Sequence, residues 1–295
     1  MTKSQRILVI AVCCLPVLFG LWLLIAHAAP STMPSRAFKK IGLVEITDVI
    51  LSSEATVKQL RALREDDAIA GVLLRVDSPG GAVAPSQEIF SEVMKFRVAK
   101  KPLVASLGNV AASGGYYVAC PAQKIFANPG TITASIGVIF RFPQYFKLMD
   151  KLGISMQVLK SGEVKDMGSP QRDMTVQEKK LFQDILTDIH NQFISDVSRA
   201  RSLDADSLRL IADGRIMTGK QALRARLVDT LGSLDDASDY LKTYLGLAKN
   251  TALVERKRRE PFLRTLLFGE LADKFPFLKS TFFPAGSYFL CDKPF

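Results

Sequence analysis

The sequence predicts an α/β domain on a largely parallel sheet, preceded by one membrane-spanning helix. Short apolar runs such as IGLVEIT (41–47), GVLLRVD (71–77) and PLVASL (102–107) recur along the chain. Stretches of helical periodicity separate them, the alternation expected of βαβ units. The helix rests on residues 7–26, ILVIAVCCLPVLFGLWLLIA, twenty residues without a charge, about the length that crosses a bilayer.

Taken in order, residues 1–6 form a short N-terminal segment carrying Lys3 and Arg6, ahead of an anchor at 7–29 with Trp22 near its far end, where an aromatic ring is favourable. A cleaved signal peptide is the competing expectation, because AHA at 26–28 resembles a small-x-small cleavage site. The apolar run exceeds the usual core of such peptides, which favours a retained anchor. Arg36, Lys39 and Lys40 follow closely, so charge bias leaves orientation open. A polar, proline-punctuated linker covers 30–40, and a folded domain covers 41–247. Within it, helices are expected at 54–66, 85–99, 175–199, 204–212, 219–226 and 235–245. Further strands are expected near 124–127, 136–140 and 156–160. The segment 248–295 is basic and Phe-rich, with nine Lys/Arg against five Asp/Glu and eight of the eighteen phenylalanines from 249 onward. It suits either contact with anionic lipid or packing on its own domain or a neighbouring subunit.

The net charge of +10 points to anionic surroundings. Without a zinc finger, an aromatic RNA-binding signature or a dense basic helix, the membrane is favoured over nucleic acid. Cys13 and Cys14 lie inside the apolar run, and Cys120 and Cys291 are far apart. No CxxC or Cys/His cluster has metal-ligand spacing, so no metal and no cofactor is expected.

Chemistry centres on NVAASGGYYVAC (109–120), where Ser113 precedes two glycines at the start of an expected helix. Serine is a favoured N-cap, which is one reading. As a nucleophile it needs a base within hydrogen-bond reach. The chain holds two histidines, His27 at the membrane boundary and His190 within a helix, so a Ser-His-Asp arrangement has only His190 to use. Lysine is the other base, and it must be buried to be neutral. Lys165 stands out in LKSGEVKDMGSP (159–170), a loop punctuated by Gly162, Gly168 and Pro170. Glu163 and Asp166 beside it disfavour a neutral amine unless they point away, and an ordinary surface lysine is the bland alternative. Oxyanion donors have two sources: the DSPGG turn at 77–81, and Gly114 at the helix start. Taken singly, each is also plain turn or cap punctuation.

Together, VDSPGG, VAASGGYYVAC, TITASIGV, SGEVKDMGSP, GRIMTGKQAL and LVDTLG resemble the signal peptide peptidase SppA family, in that family's order, over about residues 41–245. The length resembles the short, single-domain form. The resemblance implies the Clp-protease/crotonase fold of repeated β-β-α and βαβ units, and a serine peptidase that cuts remnant signal peptides at the membrane. Carried over residue by residue, Ser113 matches the nucleophile, Lys165 the general base, Gly80 and Gly114 the oxyanion donors, and Ser135 a serine that positions the lysine. It also implies a single-pass protein of a bacterial inner membrane with its catalytic domain on the extracytoplasmic side. The implied partners are peptides, membrane lipid and further copies of the chain in a ring or dome. In such an assembly Ser and Lys can come from adjacent subunits, and an interface can desolvate Lys165 as one subunit's exposed loop cannot. Ala134 and Arg226 stand where the family commonly has glycine, and Asn109 where it often has aspartate. The fold also accommodates an acyl-CoA-handling crotonase-like enzyme or an inactive scaffold in the membrane.

Overall fold

The computed structural model describes residues 39–255 and 288–290. The anchor expected at 7–29, nearly all of the linker at 30–40 and most of the segment 248–295 lie outside the described residues. Among those described, no helix is long and apolar enough to cross a membrane.

The element order is β1 (Lys40–Thr47), α1 (Glu54–Glu65), β2 (Ile69–Ser78), β3 (Gly80–Ala82), α2 (Val83–Val98), β4 (Leu103–Ala112) and α3 (Gly114–Ala119). There follow β5 (Lys124–Ala127), β6 (Ile132–Ala134), α4 (Phe146–Lys151), α5 (Val176–Arg201), α6 (Ala205–Arg209), β7 (Ile216–Thr218) and α7 (Gly219–Arg224). The last elements are β8 (Thr230–Leu231), α8 (Leu234–Leu245), β9 (Leu253–Glu255) and β10 (Tyr288–Leu290). Eight strands make one mixed, mostly parallel sheet in the order β7-β6-β4-β2-β1-β9, with β5 beside β4 and β8 beyond β5. Only β6 and β7 pair antiparallel within it.

Helices cover both faces of the sheet, which is why its central strands read as unbroken apolar runs. Val72, Leu74 and Val76 of β2 join Leu60 and Leu63 of α1, Val93 and Phe96 of α2, and Phe193 of α5. Leu73 points to the other face and meets Ile41, Val104 and Phe126 under Ala237 and Leu241 of α8. Each such side chain contributes about 1.5–3 kcal/mol when fully buried. The long helix α5 begins at a reciprocal capping box: Thr175 accepts from the Glu178 N–H, and the Glu178 carboxylate accepts from the Thr175 N–H.

The strands expected at 136–140 and 156–160 do not form. β6 comes earlier, and the chain leaves it through two consecutive left-handed residues, Ala134 (φ 63°) and Ser135 (φ 54°), which end the extended path. Residues 156–160 belong to a stretch, 151–165, that is exposed throughout. Its apolar pattern suited a strand, but among the described residues no sheet edge receives it.

Candidate active site

Two glycine motifs leave neighbouring strands side by side. β2 and β4 pair in step from Val72↔Leu103 to Val76↔Leu107, then slip to Ser78↔Ala111. Asp77 occupies the slip: its carboxylate accepts the Val110 N–H at 3.0 Å. Gly108 leaves the room, since a Cβ there would fall 2.6 Å from the Asp77 carboxyl carbon. Beyond the slip, β4 exchanges its partner β5 for β6, and SPGG comes to lie against AASGG. Contact there is close: a Cβ on Gly115 would lie 2.4 Å from the Ser78 carbonyl oxygen.

Ser113 sits at the corner between β4 and α3 with φ 53° and ψ −119°. This is the first corner of a type II′ turn, a conformation suited to glycine. The corner is held by the Ser113 N–H donating to the Ala134 carbonyl at 2.7 Å and by its own carbonyl accepting from the Tyr117 N–H at 2.8 Å. Ser113 occupies the N-cap position of α3, yet its side chain caps nothing. The residue is 1% exposed, and its Oγ has no hydrogen-bond partner. A strained backbone of this kind costs about 1–3 kcal/mol, and an unsatisfied buried hydroxyl about 1–3 kcal/mol. The capping reading explains neither expense. Behind Ser113, α3 is buried along its whole length, with the Tyr116 hydroxyl on the Leu227 carbonyl at 2.9 Å and the Tyr117 hydroxyl on Asp196. Cys120 closes the helix with a fully buried thiol whose pKa burial pushes far up, so it is no rival nucleophile.

Gly114 is the first residue of α3, so its N–H has no carbonyl of its own helix to meet. A Cβ there would stand 3.0 Å from the Gly81 nitrogen, which places Gly114 against the SPGG turn. Gly80, the other expected donor, has φ 106° and gives its N–H to Ser78 Oγ at 3.2 Å. Its carbonyl accepts from the Ile50 N–H at 2.9 Å, and the Ile50 carbonyl accepts from Ala82 at 2.7 Å. Backbone groups alternate sides along a strand, so the N–H and C=O of Gly81 face away from Ile50. The glycine pair was legible in the sequence, but the orientation of its second member was not, because Ile50 lies thirty-one positions before it.

Ser135 is 6% exposed and donates its N–H to the Arg215 carbonyl at 2.9 Å. It lines a groove with Val138, Ile139, Leu186, His190 and Ile216, among others. His190 Nε2 is buried and unpartnered. Because Ser113 Oγ has no partner, the chain by itself contains no Ser113–His190 bond and no Ser113–Lys165 bond. The structure thus brings Ser113, Gly80, Gly114 and the Ala134–Ser135 backbone together. Lys165 lies in the exposed stretch 151–165, in a turn closed by its N–H on the Gly162 carbonyl at 3.1 Å.

That turn is nevertheless anchored. Arg172 donates to Asp166 Oδ2 at 3.0 Å and binds both carboxylate oxygens of Glu178 at the start of α5. Lys160 adds a bond to Asp166 Oδ1 at 2.7 Å. The Arg172 guanidinium holds Glu178 down to about 2 from 4.5 and pushes Asp166 well below the usual carboxylate range. A lowered carboxylate pKa stabilises the folded form above the unfolded value, and that contribution disappears as pH falls through the folded value. Cleavage within 160–171 by an acid-active protease should therefore accelerate as pH drops from 4.5 toward 2. Arg172→Ala should show fast cleavage already at pH 5; equal rates for both chains would mean that the clamp does not hold the turn.

Comparison with known proteins places the chain in a family. The Peptidase family S49 description matches residues 95–248, and the Clp protease description matches residues 38–132. A Synechocystis sp. protein named as a protease is 40% identical over 79% of this chain and 84% of its own length. An Enterococcus faecium protein named as a signal peptide peptidase SppA is 38% identical over 73% of this chain and 62% of its own. The chloroplastic serine protease SPPA of Arabidopsis thaliana is 32% identical over 74% of this chain but only 32% of its own. A family match across half the chain, carrying the strained serine corner within it, establishes that the chain belongs to peptidase family S49.

Proposed function

We propose that the chain is a membrane-anchored serine endopeptidase that hydrolyses remnant signal peptides and other peptides with a Ser113–Lys165 dyad. The observation that carries this reading is the Ser113 corner: a buried, partnerless hydroxyl on a strained turn, beside glycine amides. Backbone strain and an unsatisfied polar group are costs that a purely structural serine does not explain.

In this mechanism neutral Lys165 removes the proton from Ser113 Oγ, which attacks the scissile carbonyl carbon. Negative charge develops on the carbonyl oxygen and is met by the Gly114 N–H and by an amide of the Gly80–Gly81 turn. Gly80 serves once its N–H leaves Ser78 Oγ. The lysine then protonates the departing amine, leaving an acyl-enzyme on Ser113. A water, deprotonated by the Lys165 amine now neutral again, hydrolyses the ester, and the proton it leaves on the lysine returns to Ser113 Oγ. Ser135, next to the Ala134 carbonyl that holds Ser113, is the residue that orients the lysine amine. The groove beside Ser135, with Val138, Ile139 and Leu186 on its walls, suits the apolar side chains of a signal sequence.

Lys165 becomes a base only where it is desolvated, and in one chain its surroundings are exposed. A second copy of the chain that covers the stretch 151–165 supplies the dehydration, so the working form is a homo-oligomer. With residues 7–29 as the anchor, the domain stands on the extracytoplasmic side of a bacterial inner membrane and meets both lipid and cleaved signal peptides. The test is labelling of the full-length chain in detergent by a fluorophosphonate probe, mapped by mass spectrometry, alongside hydrolysis of a fluorogenic signal-sequence peptide. The expected result is modification at Ser113 with parallel loss of hydrolysis. A folded chain that neither reacts nor cleaves would instead be the inactive scaffold.

A further inference from the structure

The C-terminal ends of α2, α5 and α8 meet around a cavity of about 750 Å³. Leu103, the first residue of β4, lines it, whereas Ser113 follows the last residue of that strand, so the cavity lies at the opposite end of the sheet. Arg97 in the last turn of α2, Lys100 just beyond that helix and Arg201 at the end of α5 bring three cations to its wall. Asp229 is the one carboxylate among the described residues that line it. Lys101 lines it too and donates to the Leu63 and Asp66 carbonyls.

Cations are favourable near helix C-termini, and helix capping is the plain account of this cluster. It explains where Arg97 directs three of its N–H groups: to the carbonyls of Pro121 at 2.8 Å, Ala122 at 3.0 Å and Ala200 at 2.8 Å. Carbonyls accept hydrogen bonds but bring no net charge. Asp229 is taken up by Arg201 and by the Ile125 N–H, so three cations face one carboxylate and two positive charges stay unbalanced. Burial, and then the charge of Arg201, push the Arg97 pKa below its usual value; the two guanidiniums are near enough to repel. The Arg201 side chain is only 7% exposed, and its Nε–H has no acceptor. A buried, unmet donor needs an explanation, and capping supplies none. The Lys100 side chain is exposed and has no partner among the described residues.

Two unbalanced positive charges suit a compact dianion, and guanidinium forks match the oxygens of a phosphate. A phosphomonoester carries close to two negative charges at neutral pH. The remaining wall is apolar, with Phe96, Leu103 and Leu245 on it. A bare phosphate would leave most of the volume unfilled, and that volume lies in the range of small-molecule sites. We infer that this cavity binds an organic phosphomonoester, with its phosphate on Arg97, Lys100 and Arg201 and its apolar part along Phe96, Leu103 and Leu245. A soluble compound and a lipid headgroup both offer this chemistry. The parallel strands β1, β2 and β4 all begin at this end of the sheet, β1 with Lys40, so residues 1–39 join the domain at the end that carries the cavity. Binding here involves no catalytic step, and it stands or falls apart from the peptidase reading.

The test is calorimetric titration of the full-length chain in non-ionic detergent with inorganic phosphate, phenyl phosphate and dihexanoyl phosphatidic acid. Hydrogen–deuterium exchange at residues 97–103 and 199–203 locates the binding. The expected result is that both esters bind and protect both segments, with inorganic phosphate weaker by about tenfold or more. Lys100→Glu and Arg201→Gln should each weaken the esters by about tenfold or more, as expected for a charged hydrogen-bond donor. Lys100→Glu changes an exposed, unbonded side chain, so it decides the matter even where Arg201→Gln fails to fold. The tighter of the two esters identifies the source, lipid or soluble. Absence of binding, binding without protection of these segments, or binding that Lys100→Glu leaves unchanged overturns the inference. Inorganic phosphate binding as tightly as both esters overturns the organic part of it.

Discussion

Ser113→Ala should abolish peptide hydrolysis and at the same time stabilise the dissociated chain. The loss follows from the mechanism: without the nucleophile only binding and the oxyanion donors remain, and kcat should drop by at least about 10⁴-fold. The gain follows from burial. Ser113 Oγ is shielded from solvent and bonded to nothing, so removing it relieves about 1–3 kcal/mol of unmet polar burial. Ser113→Gly should go further, since φ 53° and ψ −119° suit glycine. Relief of about 1–3 kcal/mol of strain is offset by about 0.5–1 kcal/mol of extra unfolded-state freedom. The expected order of urea midpoints is therefore glycine at or above alanine, and both above serine. This opposite movement of activity and stability separates a catalytic serine from a structural one. A Ser113→Ala chain that is less stable than the natural one would mean that the hydroxyl makes a bond worth keeping, and a catalytic assignment would lose its main support.

The parts of this site that a sequence reveals are those set by local pattern. β1, β2 and β4 are continuous apolar runs because both faces of the sheet are covered, and α5 and α8 show helical spacing with capping residues at their starts. What pattern cannot show is how a run finds its partner. MQVLK at 156–160 has strand-like composition, but pairing needs a free sheet edge, and none among the described residues meets it. The departures at Ala134 and Arg226 from the family's usual glycine were visible, yet their meaning needed coordinates. They stand at φ 63° and 59°, left-handed positions that a side chain enters at a cost of about 1–2 kcal/mol. In Ala134 that cost falls on the residue whose carbonyl holds the Ser113 N–H. Asn109, the third departure, is exposed on β4. The serine's strain was equally invisible, because an AASGG run reads the same whether its serine caps a helix or stands on a corner with its hydroxyl unpaired.

Lys165→Ala should also abolish hydrolysis, and mixing it with Ser113→Ala decides how the dyad is assembled. A solvated lysine is charged at neutral pH and cannot take a proton; covering it with apolar surface favours the neutral form. The stretch around Lys165 offers such a surface, since Leu152, Met156, Val158 and Leu159 are all at least half exposed, Leu159 to 91%. Covering each contributes up to about 1.5–3 kcal/mol, which offsets the cost of dehydrating one amine. The stretch is held to α5 through Arg172 and Glu178, so it can meet a neighbour without first having to be ordered. If one subunit's Lys165 serves the next subunit's Ser113, chains carrying the two single substitutions complement each other. In a randomly mixed assembly at equal ratio, a site keeps both groups about one time in four, so activity should return to about a quarter of the natural level. Co-assembly by dilution from mild denaturant, followed by peptide hydrolysis, measures this directly. Should each site draw both groups from a single chain, no mixture would recover activity, and the apolar surface around Lys165 would need a cover other than a second copy.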